Sequence, residues 1–286
     1  MRVAFRLVDV FTEVPFAGNQ LCVVPEAPQE LTTEQMQTLA REIGFSETTF
    51  VTSSHEFGYR MRIFTPDGEL PFAGHPTLGT AFVLVNERLT SPTTVQSTRL
   101  GEVTVQVDLE AGFAWMQQHP PRFGNEFHDR ALVARAAGLE PDDLDPNLPV
   151  QVVSTGLAHL IVPVRDERAL RRAERNGRAC AEATEASGGE CLYLFTVRRA
   201  GDVMARMFDA AFSIGEDPAT GSAAGPLGAY LATRGLAGLP GTCVVAQGEL
   251  VGRPSFLHLK VDALGGSWLV RVGGGVRLVG EGSFDL

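Results

Sequence analysis

The chain has 286 residues, 44% hydrophobic and 20% charged, which is long enough to bury a sizeable core and excludes a disordered or fibrous protein. Its formal charge of −10, from 24 Lys and Arg against 34 Asp and Glu, argues against nucleic acid and against an anionic membrane surface as partners, since both are recognised by clustered basic residues. The four cysteines, Cys22, Cys180, Cys191 and Cys243, form no CxxC pair and no zinc spacing, so no metal is expected, and reduced, mostly buried thiols in a cytoplasmic protein are.

Residues 3–10 form an apolar, β-branched run and predict a strand, although Arg6 and Asp9 interrupt it too early for a signal-peptide core. No later apolar run reaches the roughly 18 residues that a membrane span needs. A loop with Pro15 and Gly18-Asn19 leads to a second strand at 21–24. Thr32 and Gln35 then fit a capping box, Met36, Leu39, Ala40 and Ile43 an apolar stripe, and Gly44 a C-terminal stop, so a helix is expected there. Strands are expected at 45–52 and 59–64, a turn at Thr65-Pro66-Asp67-Gly68, a largely buried helix from His75, and a strand at 103–109. Pro120-Pro121 and a Gly124-Asn125 turn mark a crossing between lobes. The second half predicts strands at 150–153, 160–164, 192–197 and 203–208. It predicts helices at 169–186 and 223–232, and short Gly-separated strands at the end. The arginine-rich stretch 165–178 reads as a solvated helix of mixed charge.

An internal repeat is the most informative feature. Gly68-Glu69-Leu70-Pro71-Phe72-Ala73-Gly74-His75 recurs about half a chain later as Gly215-Glu216-Asp217-Pro218-Ala219-Thr220-Gly221-Ser222, in a shared Gly-Glu-x-Pro-x-x-Gly frame. Each copy follows an Arg-apolar-Phe strand segment, Arg62-Ile63-Phe64 or Arg206-Met207-Phe208, and precedes an apolar helix. A period that long is not a solenoid's. It predicts two similar lobes facing one another.

Gly74 and Gly221 each open a helix, whose first N–H groups have no internal partner and whose dipole is positive at that end. Without a Cβ they admit a ligand close to the backbone. Two such ends would grip an anion and stabilise developing negative charge, so a small carboxylic acid is the expected substrate. His75 and Ser222 stand at equivalent positions, and Asp217 replaces Leu70, which makes the site asymmetric. On the residues alone, simple loop glycines, a structural His75 and a helix-start Asp217 stay open. Glu47 lies in Gly44-Phe45-Ser46-Glu47-Thr48-Thr49-Phe50-Val51. Apolar surroundings would raise its pKa and suit acid/base work, while an exposed glutamate is the plainer reading of this segment by itself.

Four segments together resemble the PhzF-like family of phenazine biosynthesis. They are Val8-Asp9-Val10-Phe11 through Gly18-Asn19, then Glu42 through Val51, then Phe64-Thr65-Pro66 through Gly79, and Gly215 through Ala223. Gln20 departs from the pattern, since many members have proline after Gly-Asn. The resemblance implies an α+β, diaminopimelate epimerase-like fold of two pseudo-symmetric lobes, each a curled sheet around a central helix. The lobes are expected at 1–120, completed by about 275–286, and at 121–274. It also implies a cofactor-free, homodimeric isomerase similar to trans-2,3-dihydro-3-hydroxyanthranilate isomerase. In that reading Glu47 moves the proton, which reverses the plainer view of it. His75 and Asp217 assist, while Asn19, Gly74, Gly221 and Ser222 hold the substrate. Related epimerases and racemases use one cysteine per lobe. Here Ala73-Gly74-His75 and Gly221-Ser222-Ala223 stand in those places, with no cysteine near either motif, which disfavours two-thiol chemistry. An amino-acid epimerase or another proton-transfer enzyme on a different small acid, and a non-catalytic small-acid-binding protein, are the alternatives.

Overall fold

A computed structural model describes residues 1–210 and 215–286, which fall into two compact units. The first is Met1–Gln117 with Gly273–Leu286, and the second is Gln118–Val272.

In the first unit, β1 (Arg2–Val10) and β2 (Asn19–Val24) pair antiparallel. Helix α1 (Thr33–Ile43) follows. Both halves of its capping box form, between Thr32 and Gln35, and Gly44 ends it in the left-handed region at φ 68°. Its buried face, Met36, Leu39 and Ala40, joins Val3, Val24, Phe50 and Phe64 in one cluster. The chain returns as β3 (Glu47–His55), parallel to β2 as a helical crossover requires. Next come β4 (Gly58–Phe64), the two-residue β5 (Glu69–Leu70), α2 (Gly74–Asn86), β6 (Thr93–Thr98), β7 (Gly101–Asp108) and β8 (Phe113–Gln117). β4 pairs antiparallel with β3 and β5 and parallel with β6, and β6, β7 and β8 continue antiparallel.

The second unit repeats these connections. Its elements are β9 (Arg122–Glu126), α3 (Arg130–Ala136), β10 (Gln151–Ser154), β11 (Ala158–Pro163), α4 (Glu167–Arg172), α5 (Gly177–Ser187), β12 (Cys191–Arg199) and β13 (Asp202–Asp209). β14 (Glu216–Asp217), α6 (Gly221–Thr233), β15 (Gly241–Gln247) and β16 (Ser255–Leu264) follow. β10 and β11 are antiparallel, β11 and β12 parallel, β12 and β13 antiparallel, β13 and β15 parallel, and β15 and β16 antiparallel. The last strand, β17 (Ser267–Asp285), pairs with β1 and with β8, which closes the first unit's sheet into a ring.

Helices α2 and α6 have 13 residues each, and every residue of 74–85 and of 221–232 is buried. A helix apolar on all sides belongs inside a core, and α2 packs against β1, β2, β3, β7 and β8 as α6 packs against β10, β11 and β16. Each unit is therefore a sheet curled around one helix. On its outer face the second unit carries a separate core from α3, α4 and α5, including Leu132, Leu170, Cys180 and Phe208.

The repeat has a structural cause. Arg62 makes a bidentate pair with Glu69 (2.8 and 2.7 Å) and lies over the Phe64 ring at 5.0 Å. Arg206 does the same with Glu216 (2.8 and 2.7 Å) and Phe208 at 4.8 Å. Each pair fastens a short strand, β5 or β14, to the strand before it and so delivers the chain to the start of the buried helix.

Three sequence expectations need correction. Gly124-Asn125 is not a turn but part of β9, whose pairing with β10 outweighs local turn preference. The helix expected at 169–186 is two, α4 and α5, because Asn176 accepts from the Ala179 N–H and starts a new helix. The final strands are not all short: β17 runs 19 residues, straight through Gly273-Gly274-Gly275.

Candidate active site

Glu47 is the first residue of β3, placed there by the stop at Gly44, and stands opposite Leu21 of β2. His75 is the second residue of α2. The fold brings His75 Nε2 to 3.3 Å from Glu47 Oε2 and puts Asn19 Nδ2, at the start of β2, 3.2 Å from His75 Nδ1. His75 is 3% exposed and Glu47 12%. Burial pushes His75 down to about 3, opposed only in part by a Gln20 backbone contact, so the imidazole is neutral. Nε2 is the ring nitrogen that faces Glu47, and Nδ1 the one that meets the Asn19 amide. The contact with Glu47 lies off hydrogen-bond geometry. Gly74 precedes His75 in the same buried turn. Asn19, Glu47, Gly74 and His75 thus form one cluster in the first unit.

Asp217, Gly221 and Ser222 form a second cluster in the other unit. Asp217 is buried on β14, opposite Met207. Its Oδ2 accepts from Thr220 Oγ1 at 2.6 Å, and its carbonyl accepts from Gln247 Nε2 at 2.8 Å. Gln247 Oε1 in turn accepts from the buried Tyr193 hydroxyl at 2.9 Å and from the Thr220 N–H at 3.3 Å. Gly221 and Ser222 are the first two residues of α6 and are buried. Neither the Ala73 nor the Thr220 side chain caps its helix, so the first donors of both buried helices are left to other partners.

Several residues of the second cluster carry no local sequence signal. Gln247, Tyr193, Gln118, Thr155 and His159 sit on or beside strands far from the repeat and become visible only through the sheet register. His159 is buried, with Nδ1 3.1 Å from Cys191 Sγ and its ring against the Ser222 backbone. Burial pushes it down to about 4. The expectation that no cysteine lies near either motif holds along the sequence but not in the fold. Phe64 stands opposite Thr48, and Phe208 opposite Leu192, so Cys191 occupies in the second unit the place of Glu47 in the first. Burial first, then nearby Asp209 and Asp217, push its thiol well above the ordinary range. Burial likewise pushes Cys180 up to about 11 and Cys22 and Cys243 up to about 12.

The family model described as phenazine biosynthesis-like protein matches residues 8–282. The chain belongs to this PhzF family. A trans-2,3-dihydro-3-hydroxyanthranilate isomerase of Pseudomonas fluorescens is 34% identical over 266 residues, 90% of each chain. An "uncharacterized isomerase" of Pasteurella multocida is 35% identical over 283 residues, 98% of this chain and 93% of that protein. The crystal structure of a Bacillus anthracis phenazine biosynthesis protein of the PhzF family matches over 100% of both chains, with a TM-score of 0.87 and 28% identity. The fold is the diaminopimelate epimerase-like one, and the enzyme class of this PhzF family member is isomerase. Among the described residues no helix is long and apolar enough to cross a membrane.

Proposed function

We propose that this isomerase moves a proton on a small, unsaturated carboxylic acid with Glu47 as its single acid/base, in the manner of trans-2,3-dihydro-3-hydroxyanthranilate isomerase. The observation that carries the reading is the buried His75 ring held 3.3 Å from Glu47 at the start of a buried helix, where burial favours its neutral form. A protonated imidazole there would pair with the carboxylate and weaken it as a base. A neutral one orients the carboxylate without neutralising it. Glu47 takes a proton from one ring carbon and returns it to another. The double bonds shift and no atom is gained or lost, so no cofactor enters the scheme. His75 and Asp217 assist the transfer. Gly74, Gly221, Ser222 and Asn19 hold the substrate, with helix N–H groups turned to its carboxylate. The protein is expected to act as a cytoplasmic homodimer.

The raised thiols disfavour a two-thiol racemase, which needs a cysteine that ionises readily. The test is to incubate the protein with trans-2,3-dihydro-3-hydroxyanthranilate in heavy water and follow proton NMR, beside Glu47→Gln. Conversion by the wild type alone supports the reading. Equal conversion by both proteins rules out Glu47, and conversion by neither removes this substrate.

A further inference from the structure

We propose that Gln118 is a positioning residue that locks the Ser222 N–H toward the substrate carboxylate, and that Gly225 is the residue that admits it. The inference rests on the reading of Gly221 and Ser222 as substrate-holding residues. Gln118 is buried, at 4% exposure, and its Nε2 donates to the Gly221 carbonyl at 2.8 Å. Its Oε1 accepts from the hydroxyl of Thr155, itself buried, and its backbone N–H bonds to the Val270 carbonyl at 3.0 Å. Both ends of the carboxamide are engaged, so its orientation is fixed.

The Gly221 carbonyl and the Ser222 N–H belong to one peptide group, which is planar and trans, so the two point in opposite directions. Holding the carbonyl from behind fixes where the N–H points. Donation to the carbonyl also polarises the N–H and makes it a better donor to an anion. An anion hole is effective when its donors need not reorganise as charge arrives, and Gln118 meets that condition for Ser222. The next peptide is braced as well. Pro226 has no N–H to offer the Ser222 carbonyl four residues earlier, and the buried His159 ring lies against that backbone instead. The arrangement requires a glycine one turn on. A Cβ at Gly225 would lie 2.6 Å from Gln118 Cδ and 3.0 Å from Thr155 Oγ1, closer still to the carboxamide oxygen.

The experiment measures KM and kcat with trans-2,3-dihydro-3-hydroxyanthranilate together with amide hydrogen exchange over residues 218–230 of the ligand-free protein. Gln118→Leu keeps the volume and removes both bonds. It should raise KM by about tenfold with kcat within about threefold, and accelerate exchange in the first turn of α6 by about tenfold while leaving the other helices unchanged. Gly225→Ala should expel Gln118 and reproduce both effects. The double variant Gln118→Ala, Gly225→Ala should be no worse than Gln118→Ala alone or Gly225→Ala alone, because the two act through one contact. Unchanged exchange in Gln118→Leu, or fully additive effects in the double variant, overturns the inference, and the exchange readout holds even with an acid that is not turned over. The two readouts separate the levels. If Gln118→Leu leaves both exchange and KM unchanged, only the positioning role falls; if it accelerates exchange in the first turn of α6 but leaves KM unchanged, the carboxylate-holding reading of that turn falls and takes this inference with it.

Discussion

The two units share one plan and differ where chemistry is expected. In each, a helical crossover joins a parallel pair of strands (one helix in the first unit, two in the second), an Arg–Glu clamp seats a two-residue strand, and a 13-residue helix is buried along almost its whole length. At matching positions the first unit has Glu47, Leu70 and His75, and the second has Cys191, Asp217 and Ser222. The first thus offers a partly exposed carboxylate beside a neutral imidazole. The second offers a fully buried thiol pushed out of its working range, and a helix start braced by Gln118 and His159. In the first unit the buried Gln96 bonds the Thr77 side chain, not the peptide between the first two helical residues. Duplicating a scaffold does not duplicate its chemistry. Under the proposed function, one copy would move a proton and the other would hold a charge.

The largest expected effect breaks that asymmetry at its centre. Glu47→Gln should lower kcat by about 10³-fold or more, in the upper part of the range for a general acid/base. KM and the unfolding midpoint should change little, because Gln is close in shape. Cys191→Ser, the matching change in the second unit, should leave kcat within about threefold. Steady-state kinetics on both variants decide it. Comparable losses would mean that both units carry a proton and that the one-base reading is wrong.

A smaller contrast concerns stability. The Arg62–Glu69 side chains are 28% and 26% exposed, and a surface pair of this kind is worth about 1 kcal/mol or less. Arg206 and Glu216 are 8% and 15% exposed, and Arg206 also donates to the Leu170 and Ala173 carbonyls that end α4. Removing one partner of a buried pair strands the other charge and costs about 3 kcal/mol. Glu216→Gln should therefore destabilise the protein by roughly three times as much as Glu69→Gln in urea unfolding. Equal losses would show that the two clamps are energetically alike despite their burial.

These clamps also show what the sequence made legible. The repeat, the capping box at Thr32 and Gln35, the stop at Gly44 and the apolar helices were readable because each depends on residues close together in the chain. The clustering of Asn19, Glu47 and His75 was reachable only through the family resemblance, since it depends on the parallel pairing of β2 with β3 and on where α2 begins. Nothing local marked Gln118, His159 or Cys191. A glutamine after a strand and a histidine between apolar residues look like many others until the register sets them beside α6. The split of the expected 169–186 helix at Asn176 was similarly hidden, because an asparagine in a polar stretch competes weakly with helical periodicity unless the tertiary core favours the cap.

The smallest effect separates the two units by pH. His75 and His159 are both buried and neutral, pushed down to about 3 and about 4, whereas an unfolded-chain histidine titrates near 6.5. Between those values the unfolded chain binds protons that the folded one refuses, so stability falls as pH drops. The loss begins near pH 6.5 and, for His159, ends near pH 4. Each histidine contributes up to about 1.4 kcal/mol per pH unit inside its window. His159→Gln keeps a polar side chain of similar length but cannot titrate. It should reduce the slope of unfolding free energy against pH, between about pH 5 and 6, by roughly one proton's worth. The His75 contribution should persist in that variant, since nothing in the first unit has changed. Urea unfolding at several pH values gives the slope directly. An unaltered slope would mean that His159 takes up its proton without unfolding, and the bracing of the Ser222 peptide would then have to tolerate a charged ring.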